Sequence, residues 1–347
     1  MKIPTIKLGI FSICLIIMLQ TYSSLYSQTS GGGYAGSYLY KETGARQIAL
    51  AGAFTAVSND PMTIFYNPAG FASCAPVPMI ILSLSQLEYG RNYANLSYGQ
   101  SFEEFGIGIS LTSFKSGTFT ATNSSGIVLG NFTDYFTTIA IGTSYSTGAA
   151  SFGATAKYLN NSLAGSGISG YGFAFDFGSK FDVFNFFNFG LSIQNIGGFL
   201  KFNTREEKST IPFRLRAGIA TEIPLSEPKT IIFRNEIGLI DSLVQPPPEF
   251  ILISLDAQFI QYQKYPSFVL ALELTPIDIL TIRGGITIVG ETEGLFKLFP
   301  MTVWGIGLSI KPTFLDFYNL FSIDFSLATD YISVNKIFYT LGLSLQF

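Results

Sequence analysis

The segment Ile337-Phe338-Tyr339-Thr340-Leu341-Gly342-Leu343-Ser344-Leu345-Gln346-Phe347 alternates with period two. Ile337, Tyr339, Leu341, Leu343, Leu345 and Phe347 fall on one side of an extended chain, and Thr340, Gly342, Ser344 and Gln346 on the other. Successive side chains of a strand point to opposite faces, so this pattern is a β-strand with one oily face. Phe105, Ile107, Ile109 and Leu111 interleave with Gly106, Gly108, Ser110 and Thr112 in the same way, and Trp304, Ile306, Leu308 and Ile310 with Gly305, Gly307 and Ser309. Fifteen such segments are expected: 77–86, 91–99, 104–113, 135–147, 149–159, 170–181, 187–196, 211–222, 229–239, 249–260, 265–275, 279–289, 302–311, 319–329 and 337–347.

The second face decides what solvent meets the first. It is mostly Gly, Ser, Thr, Ala and Asn with isolated charges, whereas a soluble sandwich would carry many charges there. Lipid against the oily face and a lumen against the small, polar one explains both, and closure leaves no unpaired strand edge in hydrocarbon. Segments of about ten residues suit a tilted spanning strand. The expected fold class is all-β, a transmembrane antiparallel β-barrel of about 14 strands with a small, partly helical N-terminal plug.

An even strand number, both ends periplasmic and longer outer loops are the rule for such barrels. Counting forward from residue 77 puts 114–134, 160–169 and 197–210 outside; counting back from Phe347 puts 275–278 in the periplasm and 290–301 outside. The two counts clash between 211 and 260. Segment 229–239, flanked by Pro224-Leu225-Ser226-Glu227-Pro228 and Pro246-Pro247-Pro248, is the one to drop as a periplasmic excursion.

Composition agrees. The chain has 347 residues, 12% charged where soluble domains average about 25%, and a mean hydropathy of +0.37. Yet no apolar run beyond residue 28 approaches the roughly 20 residues of a spanning helix. There is no histidine, which removes Ser-His and Cys-His catalytic pairs and His-ligated metals. Neither an enzyme nor a cofactor nor a metal site is expected. The formal charge of -3 gives no reason to expect nucleic acid.

Lys2 and Lys7 precede the apolar stretch Leu8 to Leu19, and a polar, small-residue segment follows to Ser27, the order of a secretory signal peptide. Three parts result: 1–27 signal peptide, 28–76 N-terminal segment or plug, 77–347 barrel. Cys14 leaves with the signal peptide, so one cysteine, Cys74, remains and no internal disulfide can form. Within 28–76, Asp60 can cap a short helix that starts at Pro61 and stops near Tyr66 ahead of Asn67-Pro68.

The stretches Gly44-Ala45-Arg46-Gln47-Ile48-Ala49-Leu50-Ala51-Gly52-Ala53-Phe54-Thr55-Ala56-Val57-Ser58-Asn59-Asp60 and Ile64-Phe65-Tyr66-Asn67-Pro68-Ala69-Gly70 resemble the PorV/PorQ-like branch of the FadL-type outer-membrane barrels. Later stretches, Phe175-Asp176-Phe177-Gly178, Gln194-Asn195-Ile196-Gly197 and Ile282-Arg283-Gly284-Gly285 among them, are similar too, with Phe347 in the place of a C-terminal barrel-assembly signal. Asn59-Asp60-Pro61 departs from the more usual paired acids, and 223–248 reads as an insertion. The resemblance implies a fourteen-stranded barrel in the outer membrane of a didermal bacterium, with a plug motif at Asp60, Pro61, Asn67, Pro68 and Ala69. Ala45, Ala49, Gly52, Ala53 and Ala56 are small enough to pack in a narrow lumen; the alternative is that 44–72 merely caps the periplasmic face.

Alternation places Lys157, Asp176, Arg214, Arg216, Asp256, Glu273, Arg283 and Asp324 in the lumen, four basic and four acidic. A selective pore would show a ring of one sign. A balanced set reads as bracing networks, with Arg214, Arg216, Asp256, Glu273 and Arg283 on neighbouring strands as the core; the alternative is a substrate carboxylate held by Arg214, Arg216 or Arg283. Two functions follow from the resemblance. One is a component of, or partner in, type IX-like protein secretion, with other secretion-system subunits or secreted cargo as partners besides outer-membrane lipid. The other is transport of small hydrophobic molecules through a plugged barrel, with a small hydrophobic ligand.

Overall fold

The computed structural model describes residues 35–183, 187–227, 229–234, 240–245, 249–263, 265–289, 302–312, 321–329 and 336–347. The signal-peptide expectation lies outside them. Fourteen antiparallel strands form one closed ring: β1 Met79–Gln86, β2 Asn92–Phe102, β3 Phe105–Lys115, β4 Val128–Ser146, β5 Ala150–Ala164, β6 Ile168–Val183, β7 Phe187–Phe202, β8 Arg214–Pro224, β9 Phe250–Ile260, β10 Ser267–Ile277, β11 Leu280–Val289, β12 Thr302–Ile310, β13 Phe321–Thr329 and β14 Ile337–Gln346. β14 closes on β1 through pairs such as Leu82↔Leu343. β8 pairs directly with β9, Gly218 opposite Asp256, across the intervening excursion. That excursion holds a hairpin, Lys229–Arg234 with Ile240–Gln245, whose strands pair only with each other among the described residues. The described part of the segment dropped on parity, 229–234, is therefore outside the ring.

Side chains sort as the alternation requires. Ile107, Ile109, Leu111, Phe173, Leu270 and Leu341 are exposed on the outside, while Ser110, Thr112, Ser254, Ser326 and Thr340 are buried within. An exposed apolar belt of this extent marks an interaction or membrane surface. Among the described residues no helix is long and apolar enough to cross a membrane.

Several strands run further than expected, β4 and β7 furthest. β4 begins at Val128, paired with a short strand Phe119–Thr122 beyond the wall. β7 continues to Phe202 through two register shifts against β6, where Asn195 and Gly197 take φ of 61° and 62°. An irregularity of this kind re-aims the side chains within it; the two shifts cancel, and even-numbered residues face inward both before it and beyond it.

The N-terminal segment lies inside the ring. It has a short α-helix, α1 Ala45–Ala49, and 3-10 turns at Ser37–Tyr40, Pro61–Phe65 and Pro68–Ser73. Asp60 accepts the Met62 N–H at 2.9 Å and Asn67 Oδ1 accepts the Ala69 N–H at 3.2 Å, so each Xaa-Pro pair starts a turn by side-chain capping. The expected helix at Pro61 is present, tightened to 3-10 form. Tyr38 sits level with Phe114 and Phe136 at the end bearing the longer loops. Cys74 and Ala75 sit at the opposite end, where their carbonyls accept from Ser101. The segment thus runs the length of the lumen before entering β1.

Inward-facing glycines make the fit possible. A Cβ on Gly106 of β3 would stand 2.2 Å from the Phe71 carbonyl carbon, on Gly153 of β5 2.4 Å from that of Pro68, on Gly190 of β7 2.3 Å from the Thr55 oxygen, and on Gly305 of β12 2.1 Å from the Ile48 oxygen. No real Cβ tolerates such distances, and these strands lie all around the ring. The backbone of 48–71 rests on the inner wall.

Candidate functional site

The plugged lumen is the site. Ala49, Leu50, Ala53, Phe54, Ala56, Met62, Ile64, Ala69 and Phe71 are fully buried in it. What holds this apolar filling is polar and comes in three groups.

The first runs from plug to wall. Arg46 of α1 makes a bidentate pair with Glu273 of β10, Nε to Oε2 at 2.8 Å and Nη2 to Oε1 at 2.9 Å. Its Nη1 donates to Asn59 at 2.8 Å and to Asp60 at 3.1 Å, and Asp60 also accepts from Gln47 at 2.9 Å. Arg283 of β11 donates to Glu273 at 2.7 Å and to Asp324 of β13 at 2.6 Å. It reaches β13 because its neighbour on the intervening strand is Gly307. Asp60, Arg46, Glu273, Arg283 and Asp324 thus alternate in sign.

The second group centres on Glu42, 2.6 Å from Arg216 and 3.5 Å from Arg214. Arg216 also donates to the Gly52 carbonyl at 2.9 Å and lies over the Tyr66 ring. Arg214 donates to Gln194 at 2.7 Å and to the Tyr40 carbonyl at 3.2 Å. Gln194 in turn donates to the Phe65 and Tyr66 carbonyls at 2.6 and 3.1 Å.

The third braces the bulge in β7. Lys157 of β5 and Asp176 of β6 pair at 2.7 Å; Lys157 donates to Asn195 Oδ1 and Asp176 accepts the Asn195 N–H. Elsewhere Asp256 accepts the Thr55 N–H at 3.0 Å, Lys180 donates to the Val57 carbonyl at 3.1 Å, and Asn67 donates to the Thr55 and Ser179 carbonyls.

All eight expected lumen charges are buried, but the five expected to form one core network do not. Glu273 and Arg283 join each other, whereas Arg214 and Arg216 turn to Glu42 of the plug and Asp256 takes a plug N–H. Asp324, left out of that expected core, joins Arg283. The guanidiniums offered as substrate anchors are all engaged by protein acceptors. Sequence reasoning missed Glu42, Arg46, Lys180, Gln194 and Asn195; for Glu42 and Arg46 the readable signal was charge in a small-residue segment that has to lie against a charged wall.

Pro61, Pro68 and Ala69 are buried in the plug, while Phe347 is exposed and its N–H bonds the Pro78 carbonyl. Glu103, in the β2–β3 turn, and Glu206-Glu207 are exposed. Burial pushes the Cys74 thiol pKa up, which makes it an unreactive apolar residue in this conformation. Among the described residues no group of three or more Cys, Asp or Glu is placed to hold a metal.

No protein-family model and no curated protein matches the sequence. Solved structures do match. The Ralstonia pickettii toluene transporter TbuX superposes with a TM-score of 0.60 at 13% identity, covering 88% of this chain and 98% of that one. The Pseudomonas putida toluene transporter TodX gives 0.60 at 10% identity with the same coverage, and a Pseudomonas aeruginosa FadL homologue 0.55 at 10% identity, again covering 88% and 98%. At these identities the likeness is one of fold: this chain has the FadL-type barrel architecture.

Proposed function

We propose that the protein passes small hydrophobic molecules across the outer membrane, with the N-terminal segment as the element that must yield. The observation that carries this is the chemistry of the lumen at its loop end. Tyr38, Leu87, Tyr93 and Phe338, all buried, form one apolar cluster with Phe114 and Phe136 packed against it. Lys41 lies over the Phe338 ring, but the lining is chiefly aromatic, which receives an apolar solute where a selective pore for ions would present a ring of charge. The shared architecture with two toluene transporters supports the reading. So does an apolar groove of about 520 Å³ on the lipid-facing surface, lined by Ile107, Ile109, Ile141, Ala154, Phe175 and Phe177. Behind it the Phe71 ring stands against Gly108 and Gly142, so only backbone separates groove from plug. The periplasmic placement of the strand ends, and lipid as the partner of the outer belt, follow from the same reading.

The test is cellular. Removing the gene slows the cell-associated uptake of labelled toluene or of a labelled long-chain fatty acid, and restoring the full chain restores it; unchanged uptake of both refutes the proposal. The alternative, a role in protein secretion beside other subunits or cargo, is supported by the resemblance of residues 44–70 alone. Recovery of the barrel without companions from mildly solubilised outer membranes counts against it.

A further inference from the structure

The ring that closes the loop end of the lumen belongs to the plug, while its surroundings belong chiefly to the wall. Tyr38 stands 4.6 Å from Phe136 and 6.3 Å from Phe114 between ring centroids, the latter pair nearly parallel at 7°. Tyr93 packs on Phe114 at 5.9 Å, and Leu87 and Phe338 belong to the same cluster. Tyr38 is 4% exposed although Ser37 beside it is exposed and Leu39 and Tyr40 only half-buried. Its hydroxyl meets Thr138 Oγ1 of β4 at 2.7 Å.

We propose that this is a binding site for a phenol-class ligand, a single aromatic ring bearing a hydroxyl, which Tyr38 fills as an internal ligand until a free one displaces it. The proposal rests on the uptake reading and narrows its substrate class. The size follows from the occupant, one six-membered ring packed against Phe114 and Phe136, whose own centroids stand 6.0 Å apart. The preference for a hydroxyl follows from Thr138: a phenol replaces the hydrogen bond Tyr38 gives up, while a bare hydrocarbon leaves a buried hydroxyl without it, and sites built around such a bond discriminate against ligands that lack it. The tether matters as well. A residue on a short segment competes at an effective concentration on the order of millimolar, so free ligand binds the wild-type chain weakly until Tyr38 is removed.

Fluorine NMR of 4-fluorophenol and fluorobenzene, titrated against the full barrel in detergent with a detergent-only blank, tests this. Tyr38→Ala is expected to bind 4-fluorophenol saturably and at least about tenfold more tightly than wild type. Tyr38→Phe, which keeps the ring in the cage, binds no better than wild type. Adding Thr138→Val to Tyr38→Ala weakens 4-fluorophenol about fivefold, the worth of one neutral hydrogen bond, and leaves fluorobenzene within about twofold. If Tyr38→Ala yields no heat-modifiable barrel on gels, Tyr38→Ser reads the same cage. Absence of saturable binding above the blank, equal binding of the two probes, or a ratio that Thr138→Val does not move overturns the proposal. Binding is read on isolated protein, so a failed cage leaves the uptake reading to its own cellular assay. A working cage in a chain that moves no apolar solute refutes that reading instead.

Discussion

Replacing Glu273 by glutamine removes the one carboxylate shared by Arg46 of the plug and Arg283 of the wall. Glu273 is 1% exposed and accepts three charge-assisted hydrogen bonds, two from Arg46 and one from Arg283. With the plug seated, the variant leaves the partly buried Arg46 with Asp60 as its only paired carboxylate and Arg283 buried with Asp324 alone; with the plug displaced, water reaches Arg46 fully. The penalty therefore falls on the seated state. Breaking a buried pair by removing one partner costs roughly 3–5 kcal/mol, and the amide keeps some hydrogen bonding, so about 3 kcal/mol is expected here. That is about a hundredfold rise in the displaced population. Cys74 reports it without engineering. It is the one cysteine between residues 28 and 347, it is buried against Ile64 and Phe71 of the plug and Ala140 of the wall, and unseating the plug draws it off Ala140. Maleimide labelling of purified Glu273→Gln should be about a hundredfold faster than wild type, and pairing it with Arg46→Gln should give much less than the sum of the single effects. Labelling within about threefold of wild type would refute the latch, because that corresponds to well under 1 kcal/mol.

Gly153→Val places a side chain where Pro68 now lies and should keep the plug from seating, read as fast Cys74 labelling in a barrel that still shifts on heating. Asn67→Ala removes the Ala69 cap together with both carbonyl contacts, and a loss of about 1–3 kcal/mol should raise labelling about tenfold to a hundredfold. Replacing 226–248 by a short Gly-Ser turn should leave folding yield and heat modifiability unchanged, since its hairpin pairs with no barrel strand among the described residues; loss of the barrel would show that the excursion is integral to it.

The ring was legible because lipid and lumen impose opposite chemistry on successive residues. Ile107-Gly108-Ile109-Ser110 can be read as out-in-out-in with no knowledge of its neighbours, and the same alternation identified the lumen charges. Parity did what local pattern could not at 229–239, where the residues are as strand-like as any. Alternation failed where the backbone leaves the ladder's phase. The strand begun at Phe187 is lost at Ile196 because two register shifts interrupt the alternation there: Asn195 is buried beside Gln194, and even-numbered residues turn inward again only from Gly198. Partnerships inside the lumen were hidden for another reason. Arg214 and Asp256 lie on adjacent strands, but their partners come from Glu42 and Thr55, on a segment with no periodicity to give its depth or rotation. The inward glycines were visible as small residues, yet that each marks a contact with plug backbone emerges only from the packing.

The central claim is that residues 35–73 stop the lumen, and ionic current through single purified barrels in a planar bilayer tests it most directly. A steady, ohmic current through the wild-type chain would mean an open aqueous pore and would contradict the account. The account predicts a silent wild type and current only when the seated segment is destabilised, as in Gly153→Val.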